Sequence, residues 1–250
     1  KGEEMNILFY IILFFLGAFC GNFYKLAIYR IPRDMDVFKK HYFGDMNEKN
    51  KKTQIISTIL YSLLGGISFV IIAFTLKLNI YSLNLNSIML YILTIMYISA
   101  LIIIAGIDKS NIKIEKKLLG FEVIVSMIYM IYMCSINTNL IYKYLIYVAI
   151  YFLAIVTDTI LLRKFAKDSY TMDMIILLSI ILMFSDVRIL FYTIWASILA
   201  IIIDLIILKM RQKKTGNKKI KLNEIPIGFF ICTSNIAIIY ATTIITTLQA

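Results

Sequence analysis

Proline is almost absent from this chain: two in 250 residues, Pro32 and Pro226. Proline breaks helix interiors, so its scarcity leaves long uninterrupted helices open to the sequence. Histidine occurs once, at His41, and cysteine three times, at Cys20, Cys134 and Cys232. No cysteine pair has CxxC spacing and none stands close to His41, which excludes the usual zinc-ligand patterns and a Cys–His nucleophile. All three cysteines lie in apolar runs and read as small buried apolar residues, so they carry no information on compartment. No glycine-rich phosphate loop is present. Charge is also scarce: 16% of residues are charged, against about 25% in an ordinary soluble domain.

Apolar residues fill the gap. They make up 60% of the chain, and mean hydropathy is +0.83. A water-soluble globule has too little interior for this much apolar surface, and disorder is excluded for the same reason. The apolar runs are continuous rather than alternating, which argues against a β-barrel. The expected fold class is therefore all-α: a polytopic helical membrane protein with about eight transmembrane helices, forming one transmembrane domain over 1–250. The eight apolar segments fall at 6–29, 55–76, 87–107, 118–135, 140–162, 174–184, 189–208 and 225–248. At ~20 residues per span, they leave no room for a sizeable soluble domain. Residues 1–5 form an N-terminal flank, and Lys1–Glu4, ahead of Met5, read as lying outside the native start. The first run lacks a small-residue cleavage site and reads as a retained span rather than a cleaved signal.

Orientation follows from lysine and arginine. The loops after segments one, three, five and seven hold 21 of them, and the three intervening loops hold only Lys77 and Arg188. Positive loops stay on the cytoplasmic side. This places the first loop (30–54) and the last (209–224) in the cytoplasm and both termini outside, in a multi-pass protein of the cell membrane. The short sixth segment must cross, or the 209–224 loop would flip to the outer side. The net charge of +11 then reflects this asymmetry and attraction to anionic lipid; no nucleic-acid partner is expected.

Carboxylates near a bilayer are expensive and usually functional. Most of the fifteen acids lie in polar stretches, and Glu115 reads as an ion-pair partner of the lysines around it. Five cluster at the inner leaflet: Asp108, Glu122, Asp158, Asp173 and Asp204. Asp158 and Asp204 precede Arg163 and Lys209 and read as helix-end acids reaching for a cation. Glu122 reads as a partner for a lysine of the loop after segment three. Two carboxyls that share a site keep one proton between them and can activate water without metal or nucleophile. Composition does not say which two would pair.

Four stretches resemble the bacterial type IV prepilin peptidases, which are intramembrane aspartic proteases. Gly21-Asn22-Phe23-Tyr24-Lys25-Leu26-Ala27-Ile28-Tyr29-Arg30-Ile31-Pro32-Arg33 is similar to the family's G-S-F-L-N-x-x-I-Y-R-L-P-R, with Lys25 for Asn and with Arg30 and Arg33 read as headgroup anchors. Ile104-Ala105-Gly106-Ile107-Asp108 resembles the A-L-I-D stretch that carries the first catalytic aspartate. Asn223-Glu224-Ile225-Pro226-Ile227-Gly228-Phe229-Phe230 resembles x-x-I-P-F-G-P-F. The family's second aspartate lies in G-x-G-D-x-K. Two stretches compete for it: Tyr170-Thr171-Met172-Asp173, and Ser185-Asp186-Val187-Arg188. Asp173 follows the basic end of segment five as the family requires, whereas Asp186 falls on the outer side, a membrane thickness of about 30 Å away. Tyr170 and Met172 stand where the family has its glycines.

The resemblance implies a catalytic pair, Asp108 and Asp173, cleaving the basic leader from prepilin or pseudopilin-like partners at the cytoplasmic face. Many members carry two CxxC pairs in the first loop. This chain has none there, so no metal is carried over, and with it goes the basis for S-adenosylmethionine as methyl donor; no cofactor is expected. Two rival readings remain: a non-proteolytic partner in pilus or secretion assembly, and a small proton- or cation-coupled transporter working through Glu122, Asp158 and Asp204.

Overall fold

A computed structural model describes residues 2–37, 51–79, 81, 83–157, 170–215 and 225–249, without side chains for 2–4, 51–54, 211–215, 243 and 246–249. His41, Asp45, Glu48, Asp158, Asp168, Asn223 and Glu224 lie outside the described residues, as do most cations of the loops at 30–54, 163–169 and 209–224.

Apolar sequence free of internal proline folds as helix throughout, with no strand among the described residues. In chain order the helices are α1 (Gly2–Arg30), a 3₁₀ turn (Ile31–Arg33), α2 (Lys51–Thr75), α3 (Leu85–Asn111), α4 (Lys116–Ile136), a second 3₁₀ turn (Thr138–Leu140), α5 (Ile141–Thr157), α6 (Tyr170–Phe184), α7 (Val187–Thr215) and α8 (Ile227–Gln249). Among the described residues, six stretches are long and apolar enough to cross a membrane: Met5–Arg33, Ile55–Thr75, Leu85–Asn111, Lys116–Ile136, Thr138–Thr157 and Val187–Met210. Tyr170–Phe184 and Ile227–Thr242 are apolar but shorter. The exposed surface agrees with a lipid setting. Phe191, Trp195, Leu199, Ile202 and Ile206 on α7 are all exposed, and their spacing of three and four residues lines them along one helical face. A continuous apolar stripe on the outside is a liability in water and the normal condition in lipid. The chain is a multi-pass helical membrane protein.

The helices group into two compact units, Lys1–Gly106 with Tyr240–Ala250, and Ile107–Ile239. In the first unit α1 and α2 run antiparallel in close contact. Gly17 and Gly21 are one turn apart on α1, Gly65 faces them from α2 and Gly66 faces Phe14; a Cβ at Gly17, Gly21 or Gly65 would run into the other helix's backbone. Small residues at such spacing let transmembrane helices approach where no hydrophobic effect drives them together. Polar side chains then link the pair: Ser62 donates to Asn22 at 3.0 Å and Lys25 to Thr58 at 2.6 Å. Lys25, the departure from the family's asparagine, is thus buried within this seam.

Arg30 differs from expectation. It is not a headgroup anchor but is 1% exposed, folded back to donate to the Asp36 and Val37 carbonyls at 3.1 Å each. The left-handed Asp34 (φ 53°) turns the chain and makes that return path. Arg33 does face outward, donating to the Tyr29 carbonyl and lying 3.9 Å over its ring.

In the second unit α4, α5 and α6 enclose a core of Met130, Tyr144, Tyr147, Leu182 and Met183, with Tyr129 stacked on Phe184 at 4.3 Å. Asn235 on α8 donates to Thr193 on α7 at 3.1 Å. The α3 helix ends inside this unit at Ile112, whose amide bonds the Asp108 carbonyl at 2.8 Å with φ 52°. A β-branched residue is strained in that left-handed region, so the chain turn just after Asp108 is held by its surroundings.

Candidate active site

Asp108 sits in the last turn of α3 and is 0% exposed. A buried carboxyl needs hydrogen-bond partners, and it finds them on two other helices. The Phe229 amide, in the first turn of α8, donates to Oδ2 at 2.8 Å. The Tyr170 hydroxyl, from the first residue of α6, donates to Oδ1 at 2.9 Å and Oδ2 at 3.0 Å. The neighbouring Gly228 amide donates to the same tyrosyl oxygen at 3.3 Å. The first amides of a helix have no partner within it, and the helix dipole favours an acceptor there. Pro226, with no N–H to satisfy, opens this segment. The stretch Ile225–Phe230 therefore supplies one backbone donor to Asp108 and a second to the tyrosyl oxygen that bonds it.

Gly228 is required for this approach. A Cβ there would stand 3.0 Å from Asp108 Oδ2 and 3.1 Å from Ile114 Cδ1. Lys109 Nζ lies 4.7 Å over the Phe229 ring, which holds a cation one residue from the carboxyl.

Asp173 lies in the first turn of α6, buried at 4% exposure. It follows Tyr170 by three residues, the spacing that puts two side chains on one helix face. Asp108 and Asp173 belong to the same unit, and the contact through Tyr170 brings the start of α6 to Asp108. Asp186, the competing candidate, stands beyond the far end of the fifteen-residue α6, about 20 Å from Asp173 along the helix at ~1.5 Å per residue. There it starts α7, accepting from the Val187 amide at 2.6 Å and from Tyr147 at 2.9 Å, with Lys143 at 3.3 Å. Burial alone would raise the Asp186 pKa, but the Tyr147 hydroxyl, the Val187 amide and Lys143 outweigh it and hold the carboxyl below its ordinary value.

The remaining acids divide. Glu115 pairs with Lys113 at 2.9 Å, as its neighbours suggest. Glu122 does not pair with a lysine: it is 0% exposed, and neither carboxyl oxygen has a hydrogen-bond partner among the described residues. Its helical register explains this, since one turn into α4 it points into the unit, four residues before the equally buried Ser126. Asp204 is half-buried on α7, and no group of three or more metal-ligating side chains occurs among the described residues.

Sequence reasoning missed Tyr170 as a partner of Asp108, although its place at a family glycine marked it as unusual. It also missed the role of the Gly228 and Phe229 amides, whose signal was the Ile-Pro-Ile-Gly turn at the start of α8. Comparison with family models, curated proteins and solved structures gives no match.

Proposed function

We propose that this chain is an intramembrane aspartic endopeptidase of the prepilin peptidase type, with eight membrane crossings, both termini outside and its site at the cytoplasmic face of the cell membrane. One observation carries the reading. Asp108, at the end of a membrane-length helix, is tied to α6 and α8 by Tyr170 and Phe229, and the buried Asp173 shares the face of α6 that Tyr170 presents. Those elements coincide with three of the four stretches that resemble the family.

The chemistry follows from two carboxyls holding one proton. The ionised group takes a proton from water as the water oxygen attacks the scissile carbonyl carbon. The protonated group donates to the carbonyl oxygen. The carboxyl that took water's proton then gives it to the leaving amine, while the other recovers its proton from the gem-diol hydroxyl as the C–N bond breaks. The substrate would be a prepilin-like protein whose basic leader lies against the inner headgroups and whose apolar segment lies in the bilayer.

Co-expression with a prepilin-like substrate and a gel-shift assay test this. Asp108→Asn and Asp173→Asn abolish cleavage while membrane insertion persists, and Asp186→Asn leaves it nearly intact. Undiminished cleavage by either of the first two variants ends the assignment. A second reading, a non-proteolytic assembly partner, draws support from the tyrosyl hydroxyl seated on Asp108 where the family has a glycine.

A further inference from the structure

We infer that the Tyr170 hydroxyl occupies the position of the attacking water on Asp108, and that Tyr170 is a displaceable cover which a substrate must move before hydrolysis. The inference rests on the peptidase reading for its catalytic meaning, but its structural half stands on the geometry alone.

Three facts lead to it. Asp108 has no exposed surface, so no solvent molecule touches it in this arrangement. The hydroxyl spans both carboxyl oxygens, at 2.9 and 3.0 Å, as a water poised between them would. It also accepts from the Gly228 amide at 3.3 Å, so one oxygen donates to an acid and accepts from a helix N-terminus. An attacking water makes the first of these contacts and a scissile carbonyl oxygen the second. Water activation requires direct contact with the carboxyl, so the tyrosyl oxygen and a reacting water exclude each other.

The cover is built to leave. Tyr170 belongs to the first described turn of α6. Its ring is half-buried, unlike the fully buried Asp108. Asp108 retains the Phe229 amide when the hydroxyl departs, and the Gly228 amide becomes free to receive a carbonyl oxygen. A glycine at this position cannot make the contact, so the device belongs to this chain's own residue.

The test measures access to Asp108 without relying on proteolysis. Dicyclohexylcarbodiimide, which partitions into membranes and adds to carboxylic acids to leave an N-acylurea, is applied to the full chain in lipid. Adducts are located by peptide mass spectrometry. Labelling of Asp108 is slow in the native chain and rises about tenfold in Tyr170→Phe, the size expected on losing one hydrogen bond to a carboxyl. Tyr170→Gly gives at least the same rise, and Glu122 labelling stays constant as the internal control. Equal Asp108 labelling in all three chains overturns the inference. In the gel-shift assay Tyr170→Phe cleaves faster than the native chain. Slower cleavage by Tyr170→Phe, with Glu122 labelling unchanged, would make the hydroxyl a participant in the chemistry and overturn its role as a cover. Increased labelling with no cleavage by any chain removes the peptidase reading and leaves the cover standing.

Discussion

The Phe229 amide belongs to the backbone, so only proline at that position deletes it, and Asp108 keeps that partner whatever stands at position 170. The residue that can disturb it is Gly228. Its replacement by alanine puts a methyl 3.0 Å from Asp108 Oδ2, where either the carboxyl or Ile114 must yield. Gly228→Ala is expected to cost about 1–3 kcal/mol of stability by overpacking and to lower cleavage by about a hundredfold, since small misplacements of reacting groups have effects of that order. Thermal melting and the gel-shift rate read the two separately. Asp186 gives a second residue-level test. Its pKa is lowered in the folded chain, so its contribution to stability is full above the ordinary aspartate value of about 3.9 and is lost as pH falls through the lowered folded value. The melting difference between the native chain and Asp186→Asn should therefore shrink in acid, below about pH 4. It should be small throughout, because the side chain is 43% exposed and solvent screens it. A difference that grows on acidification contradicts the assigned ion pair. At this scale the sequence was readable where a residue's cost was local: an aspartate at the end of an apolar run needs a partner. It was silent on which partner. Tyr170 meets Asp108 across 62 positions of chain, and nothing in its neighbours announces the contact.

Helices were the most legible elements, because an apolar run of membrane length has one economical backbone solution, which satisfies its own hydrogen bonds. Their pairing was not. Gly17 and Gly21 are visible at the spacing that permits close approach, yet only the facing Gly65 and Tyr61 backbone of α2 shows what they approach. Gly21→Leu should separate α1 from α2, break the Asn22–Ser62 and Lys25–Thr58 links, and cost several kcal/mol beyond ordinary overpacking of about 1–3. A melting temperature equal to that of the native chain would contradict the packing. Arg30 shows the opposite error. A cation at the end of an apolar helix suggests an anchor at the headgroups, but the left-handed turn at Asp34 offers it two carbonyls closer by. Turn geometry set by a non-glycine residue with positive φ is poorly signalled in sequence, and so was this outcome.

For the whole molecule, class was legible from composition alone, because no soluble arrangement accommodates 60% apolar residues beside stripes of exposed phenylalanine, tryptophan and leucine. Sidedness is a separate matter and is testable. In a background lacking Cys20, Cys134 and Cys232, a cysteine at Thr138, exposed in the turn between α4 and α5, should react with a membrane-impermeant maleimide in intact cells. A cysteine at Gly216 should react only after permeabilisation. The reverse pattern inverts the orientation and moves Asp108 to the outer surface. The site was legible at this scale only as a set of acids at one depth. The loop charges and the basic stretch before Asp173 already favoured it over Asp186, and the fifteen-residue α6 lies between the two positions.

The bond between Phe229 and Asp108 joins positions 121 residues apart, and translation runs in one direction. The ribosome delivers the acid well before the amide that secures it. Every nascent chain that stops short of Phe229 thus carries this carboxyl without its backbone donor, however completely its earlier helices have inserted. Maturation of the centre waits for the first turn of α8, and premature stops ahead of that turn yield proteins with an unfinished centre.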